Sequence, residues 1–324
     1  MRGRATQFID PVTKEVLVKQ SEWGAYKIRI VSENNFPTAA GLASSASGYC
    51  CLVFTLAQLF GVKGEISTVA RMGSGSACRS MYGGWVKWDM GTLEDGSDSK
   101  AVEVASEKDW PEMEILVLVV NDQKKDTSST DGMQQSVKTS NLMQTRIKDI
   151  VPKRMIEIEE AIKTKNFPVF GELTMRDSDS FHDVCADTIP PIYYLKPISK
   201  DIIHVINSYN KYCGVVSAAY TFDAGPNAVI YLLKDHVVPI LSLALHYFPP
   251  NKTPLANFFK NPTILKQAQE WKIPTELENM IGLNVAPDAL KYILNTRPGP
   301  GPQVLPPSAT LVDSKTGLPL KLKQ

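Results

Sequence analysis

The sequence predicts a two-domain α+β protein, and three observations lead there. A strand, a small-residue loop and a long helix follow one another between Tyr26 and Phe60. Ile115–Val120 is a continuous apolar run of the kind found in buried strands, and it closes a first domain over residues 1–125. From Asn141 to Phe181 apolar residues recur at helical spacing, which gives residues 126–324 a core of their own. With 324 residues, 43% of them hydrophobic, the chain can bury both cores.

Within the first domain, Tyr26, Ile28 and Ile30 alternate with Lys27, Arg29 and Val31 as in a strand, until Asn34-Asn35-Phe36 breaks the pattern. The helix is predicted over Ser44–Phe60, with Tyr49, Val53, Leu56, Ala57 and Phe60 on one stripe and Gly61 as its stop. A short helix over Glu65–Arg71 leads into a second small-residue loop, Gly73–Ser80. Gly83-Gly84 then opens the strand Trp85-Val86-Lys87-Trp88, and the Gly, Asp and Ser residues of Gly91–Ser99 read as a surface connection.

In the second domain the helical positions are Ile147, Ile150, Val151, Met155, Ile158 and Ile162, continuing through Phe170, Leu173 and Met175 after Pro168. A helix over Ile198–Lys211 precedes the turn Asp223-Ala224-Gly225-Pro226 and a strand over Asn227–Leu233. From Arg297 onward Pro298, Pro300, Pro302, Pro306 and Pro307 rule out regular structure throughout, so the tail is expected to wrap the surface or fray.

Composition excludes several function classes. Lys plus Arg total 35 against 34 Asp plus Glu, so neither nucleic acid nor an anionic membrane has an electrostatic reason to bind. No apolar run reaches the roughly 18 residues of a membrane span, and Met1-Arg2-Gly3-Arg4-Ala5 lacks a signal's apolar segment, which makes the cytoplasm the expected compartment. Cys50, Cys51, Cys78, Cys185 and Cys213 are odd in number and lack paired spacing, as suits reduced thiols rather than disulfides or a zinc site. His182, His204, His236 and His246 have no ligand spacing and no serine or cysteine partner for a hydrolytic triad.

Three small-residue loops could bind an anion, because each adjoins an element end where backbone N–H groups are free. Gly41, Leu42, Ala43, Ser44 and Ser45 open directly into the long helix. They have neither the Gly-Lys-Ser/Thr ending of a Walker loop nor the glycine spacing of a dinucleotide fingerprint. Ser74-Gly75-Ser76-Ala77-Cys78 offers hydroxyls and amides, and Arg79 can form a bidentate pair with carboxylate or phosphate. Asp223 could orient a reacting hydroxyl or accept its proton. Lys124–Thr130 adds cations and hydroxyls after a buried strand. The plain alternatives are a serine-capped loop, a solvated turn, an Asp-Gly-Pro tight turn and a solvated loop, in that order.

Taken together, these segments carry a resemblance. Pro37–Ser45 resembles the Pro-Xaa-Xaa-Xaa-Gly-Leu-Xaa-Ser-Ser loop of the GHMP kinase superfamily. With Gly73–Ser80, Ala219–Ala228 and Gly299-Pro300-Gly301-Pro302, the chain resembles the mevalonate diphosphate decarboxylase family from about Trp23 to Pro302. The resemblance implies a two-domain GHMP kinase-like α+β fold and ATP-dependent decarboxylation of mevalonate 5-diphosphate to isopentenyl diphosphate, with ADP, phosphate and carbon dioxide released. It assigns the phosphates of ATP, carried with Mg2+, to Gly41–Ser45. It assigns the substrate's anionic groups to Ser74, Gly75, Ser76, Ala77, Cys78, Arg79 and Thr130, and the tertiary C3 hydroxyl to Asp223. Arg79 would orient the carboxylate, no protein metal ligand is implied, and the family suggests a homodimer. The family's Asn-Ile-Ala strand and Lys-Tyr-Trp-Gly-Lys motif have no counterpart in the sequence, so the first domain is expected to be incomplete at its start, with an exposed sheet edge. A small-molecule kinase that does not decarboxylate, and an inactive short form that keeps binding or dimerisation, are the competing readings.

Overall fold

A computed structural model of the chain describes residues 2–10, 12–38, 41–120 and 128–320. It divides into two compact units: Met1–Phe36 with Ser44–Glu103 and Gly299–Gln324, and Pro37–Ala43 with Val104–Pro298. The main stretch of the first unit runs to Glu103, where the sequence expectation set the boundary at 125, and the C-terminal Gly299–Gln324 group with it; Gly41–Ala43 group with the second unit and Ser44-Ser45 with the first. Lys124–Thr127 lie outside the described residues.

The first unit holds β1 (Phe8–Ile9) and β2 (Val16–Val18), then α1 (Ser44–Phe60), α2 (Ser67–Gly73), β3 (Trp85–Trp88) and β4 (Ala101–Ala105). β1 pairs with β2, and β3 with β4. α1 has the predicted bounds and ends at Gly61, whose φ of +62° is the left-handed conformation that stops helices. Its buried positions are Ala46, Cys50, Val53, Ala57 and Phe60, at alternating steps of four and three. Tyr49 does not share that stripe: it is 42% exposed, about 100° around the helix from Cys50, whose thiol donates to the Ser80 carbonyl at 2.9 Å. Phe60 packs edge-on to Trp23, with Ala5 and Val18 completing that small core. α2 starts two residues later than expected because the Glu65 carboxylate receives the Ser67 and Thr68 amides and serves as its cap.

Two expectations fail here for identifiable reasons. Residues 26–31 are irregular, with Ile30 58% exposed. Alternation defines two faces, but a strand also needs a hydrogen-bonded neighbour, and these residues join no ladder among the described residues. The expected open loop at Gly73–Ser80 is a 3-10 helix over Gly75–Met81. The Pro-rich tail is irregular over most of its length, with a 3-10 turn at Pro307–Ala309, and it is not loose: the Gly84 amide donates to the Gly299 carbonyl at 2.8 Å.

The second unit is built on an antiparallel sheet ordered β6 (Ala218–Phe222), β7 (Ala228–Leu233), β5 (Met113–Val119), β8 (Tyr292–Thr296). β5 is the predicted apolar strand, flanked on both sides, with Leu116 facing Ile230 and Asn295 in the ladders. The helices are α3 (Ser129–Thr139), α4 (Asn141–Thr145), α5 (Val151–Lys163), α6 (Phe167–Asp187), α7 (Pro197–Cys213), α8 (Val237–Tyr247), α9 (Leu255–Phe258), α10 (Pro262–Glu270) and α11 (Thr275–Ile281). A π-helical turn, Arg146–Ile150, joins α4 to α5.

Ala228, Ile230 and Leu232 enter the main core with Ile202, Ile206, Leu241 and Leu277, while Tyr231 on the alternate face meets Phe170 of α6 at 5.4 Å. α6 approaches β6 closely because Gly171 has no side chain: a Cβ there would lie 2.7 Å from Val216 Cγ1. Among the described residues no helix is long and apolar enough to cross a membrane.

Candidate active site

In the first unit, the start of α1 meets the second small-residue segment. Ser45 Oγ and Ser74 Oγ lie 3.1 Å apart, so hydroxyls separated by 29 positions share a hydrogen bond. The 3-10 turn uses the Ala77 amide internally, on the Ser74 carbonyl at 2.9 Å. Ala77 and Cys78 are fully buried, and Ala77 packs with Val53 and Ala70. The Cys78 thiol donates to the Gly75 carbonyl at 3.1 Å, and burial raises its pKa even though Arg79 opposes the shift. These two predicted anion contacts are therefore packing residues at the side-chain level. Arg79 is exposed, with its guanidinium carbon 6.0 Å from the Trp88 ring centroid.

In the second unit, Gly41 takes φ +75° and Ala43 +55°, both left-handed. Gly41 lies against the turn between β6 and β7: a Cβ added to it would fall 2.9 Å from Gly225 Cα and 3.2 Å from the Ala224 carbonyl carbon. Ser178 Oγ of α6 accepts the Phe222 amide at 3.0 Å, and Ser199 Oγ of α7 donates to the Pro226 carbonyl at 3.0 Å. Asn227 Oδ1, fully buried, receives the Val120 amide at 2.8 Å. The turn closes on itself through the Gly225 amide and Asp223 carbonyl at 2.7 Å. Three anchors thus fix the backbone while the Asp223 side chain is left exposed.

Asp223 also lines a cavity of about 80 Å³ with Ser129, Met133, Arg146, Cys185 and Tyr194. Burial pushes the Cys185 thiol up to about 11 and the Tyr194 phenol up to about 12, so both are neutral at physiological pH. Arg146 is held by Asp177, at 2.9 and 2.7 Å, and by Ser180 at 3.0 Å. Burial lowers the pKa of His182, with Phe222 and Asp223 acting in the other direction.

Thr130 is exposed on the first turn of α3, and Ser129 beside it is the residue that lines the cavity. The sequence reading included Ser129 only within a cationic loop, and it passed over Arg146 and Tyr194. Nothing local distinguishes those two, since an arginine in a helical pattern and a tyrosine after a Pro-Pro pair are both ordinary. Among the described residues no group of three or more His, Cys, Asp or Glu is arranged to hold a metal ion.

Comparison with known proteins adds an independent observation. Residues 1–101 match the diphosphomevalonate decarboxylase-like N-terminal domain, and residues 115–305 match the mevalonate 5-diphosphate decarboxylase C-terminal domain. The chain belongs to the diphosphomevalonate decarboxylase family. The diphosphomevalonate decarboxylase of Danio rerio is 49% identical over 295 residues, which are 91% of this chain and 72% of that protein. The structure of mevalonate diphosphate decarboxylase from Trypanosoma brucei superposes with a TM-score of 0.79 at 40% identity, covering 87% of this chain and 74% of that one. A further structure, MDDEF in complex with MVAPP, AMPPCP and magnesium, has a TM-score of 0.57 at 35% identity over 65% of this chain and 64% of that one. The α+β fold expected from the sequence is thus the fold of this family.

Proposed function

We infer that this protein catalyses the ATP-dependent decarboxylation of (R)-5-diphosphomevalonate to isopentenyl diphosphate, releasing ADP, phosphate and carbon dioxide. The observation that carries the reading is the approach of Gly41 to Gly225, which sets the anion-type loop against the turn that bears Asp223. In the proposed chemistry the tertiary C3 hydroxyl is a poor leaving group until it receives the terminal phosphoryl group of ATP. Its departure then leaves positive charge at C3, which loss of the carboxylate quenches.

In this reading Asp223 faces the C3 hydroxyl and orients it or takes its proton, and its exposed carboxylate on a fixed turn suits either task. The small residues Gly41, Leu42, Ala43, Ser44 and Ser45 receive the nucleotide's phosphates at the start of α1, where the positive end of the helix dipole favours anions. The left-handed backbone of Gly41 and Ala43 fits a loop that turns its small residues towards a polyphosphate. Mg2+ enters as the counter-ion of that polyphosphate. Ser74, Ser76 and Arg79 supply the polar groups for the substrate's anionic ends, with Arg79 on the carboxylate, while Gly75, Ala77 and Cys78 shape the turn that presents them. Thr130 shares the start of α3 with Ser129 and completes the substrate contacts. The relatives' names and the bound species of the MDDEF complex support the choice of substrate, nucleotide and Mg2+. The cytoplasm and a homodimer complete the reading, and sedimentation at twice the chain mass is the result expected for the dimer.

The test is release of carbon dioxide from the 5-diphosphate substrate, with and without ATP, by wild type and Asp223→Ala whose folds are matched by circular dichroism. A loss of about 10²–10⁴ in turnover is expected for a group acting in proton transfer. Equal rates would reject the role of Asp223, and a stable phosphorylated acid without carbon dioxide would identify a kinase instead.

A further inference from the structure

Arg79 presents a problem that its own segment does not solve. It is exposed in the last turn of a 3-10 helix, and among the described residues its guanidinium has neither an ion pair nor a hydrogen bond; only its backbone is engaged, the carbonyl accepting the Tyr82 amide at 3.2 Å. A free arginine samples many rotamers, so binding a carboxylate in one geometry would have to restrict it each time. Its neighbour is aromatic: the Trp88 ring, at 6.0 Å, the outer range at which a guanidinium is attracted to an indole face.

The indole is itself held. Its Nε1–H donates to Ser99 Oγ at 2.9 Å, and Ser99, only 5% exposed, donates in turn to the Asp89 carbonyl at 3.2 Å. On its six-membered edge, the ring lies over Gly75, where an added Cβ would come within 3.0 Å of Trp88 Cη2 and 3.2 Å of Cζ3. The glycine that opens the 3-10 turn therefore makes room for the ring, and the ring lies beside the arginine four residues later.

We propose that Trp88 is a positioning residue for Arg79, presetting its guanidinium for the substrate carboxylate without using any of its N–H donors. An acidic partner would hold the arginine more strongly, but it would occupy the bidentate edge that a carboxylate ligand needs. An aromatic face attracts the cation through the ring quadrupole and leaves all five N–H groups available. The proposal rests on the reading of Arg79 as the carboxylate-binding residue.

The experiment measures calorimetric affinity for the 5-diphosphate substrate, a readout independent of turnover, together with KM and kcat where turnover is present. The variants are Trp88→Leu, Trp88→Phe, Gly75→Ala, Arg79→Ala and the Trp88→Leu/Arg79→Ala pair. Trp88→Leu is expected to weaken substrate affinity about two- to fivefold with ATP affinity unchanged, Trp88→Phe to recover part of the loss, and Trp88→Leu to add nothing in the Arg79→Ala background. Gly75→Ala, which displaces the ring by a few tenths of an ångström, should show the same signature more weakly. Independent, multiplying losses from Trp88→Leu and Arg79→Ala would overturn the proposal, as would wild-type affinity in Trp88→Leu while Arg79→Ala is impaired. If Arg79→Ala binds substrate like wild type, the reading of Arg79 has failed and the proposal falls with it. Should Trp88→Leu not fold, Trp88→Phe and Gly75→Ala decide: wild-type affinity in both rejects the proposal.

Discussion

Gly41 lies so close to Gly225 that the turn leaves it no room for a side chain: a Cβ on Gly41 would sit 2.9 Å from Gly225 Cα. Gly41→Ala therefore meets a backbone it cannot push aside, at a φ of +75° that already disfavours alanine by about 1 kcal/mol. The expected outcome is a rise of at least tenfold in the KM for ATP, with a modest fall in melting temperature. Unchanged nucleotide kinetics would show that this contact does not shape the nucleotide site.

Ser178 Oγ is the acceptor for the buried Phe222 amide, one residue before Asp223. Ser178→Ala leaves that amide unpaired and should cost about 1–3 kcal/mol by denaturant titration. Because the turn loses one of its anchors, turnover should fall more than the loss of folded protein accounts for. A variant with full specific activity per folded molecule would assign Ser178 to stability alone.

Burial pushes the Asp177 carboxyl up, but hydrogen bonds and charge from Arg146 and Arg154 outweigh it and hold the carboxyl below the usual carboxylate range. A lowered folded pKa means that this contribution is present above the unfolded pKa of about 3.9 and is lost as pH falls through the folded value. Asp177→Asn should destabilise by about 1–2 kcal/mol at pH 7. That is less than for a fully buried pair, because the Asp177 side chain is 43% exposed. The difference from wild type should shrink below about pH 4. A difference that stays constant down to pH 3 would contradict the linkage.

His236 has the opposite origin. Burial lowers its pKa while Asp235 opposes, and Nδ1 lies 2.7 Å from the Tyr209 hydroxyl. Below the unfolded value of about 6.5 the unfolded chain takes up this proton first, so stability is full above that pH and is lost as pH falls towards the folded pKa. The wild-type denaturation midpoint should drop between pH 7.5 and pH 5.5, and it should drop less in His236→Phe. Identical slopes would place the pH dependence elsewhere, with His182 the next candidate.

The sequence by itself determined the elements whose evidence is local. The bounds of Ser44–Phe60 follow from helical spacing and a terminal glycine, and β5 and β7 follow from apolar runs between turn residues. The family was also legible, because its loops are short, contiguous motifs. Three-dimensional pairing decided the rest. Residues 26–31 carry a strand's alternation but join no ladder among the described residues, since a strand's hydrogen bonds belong to a neighbour that no local pattern names. The burial of the Ala77 and Cys78 side chains, with Ala77 against Val53 and Ala70, was not legible in a small-residue segment. That Ser129 lines the cavity beside Asp223 while Thr130 is exposed was not legible either, because one residue on a helix turns a side chain by about 100°. The meeting of Gly41 with Gly225, 184 positions apart, was likewise invisible in sequence, because chain spacing sets which groups exist while packing alone sets which of them touch.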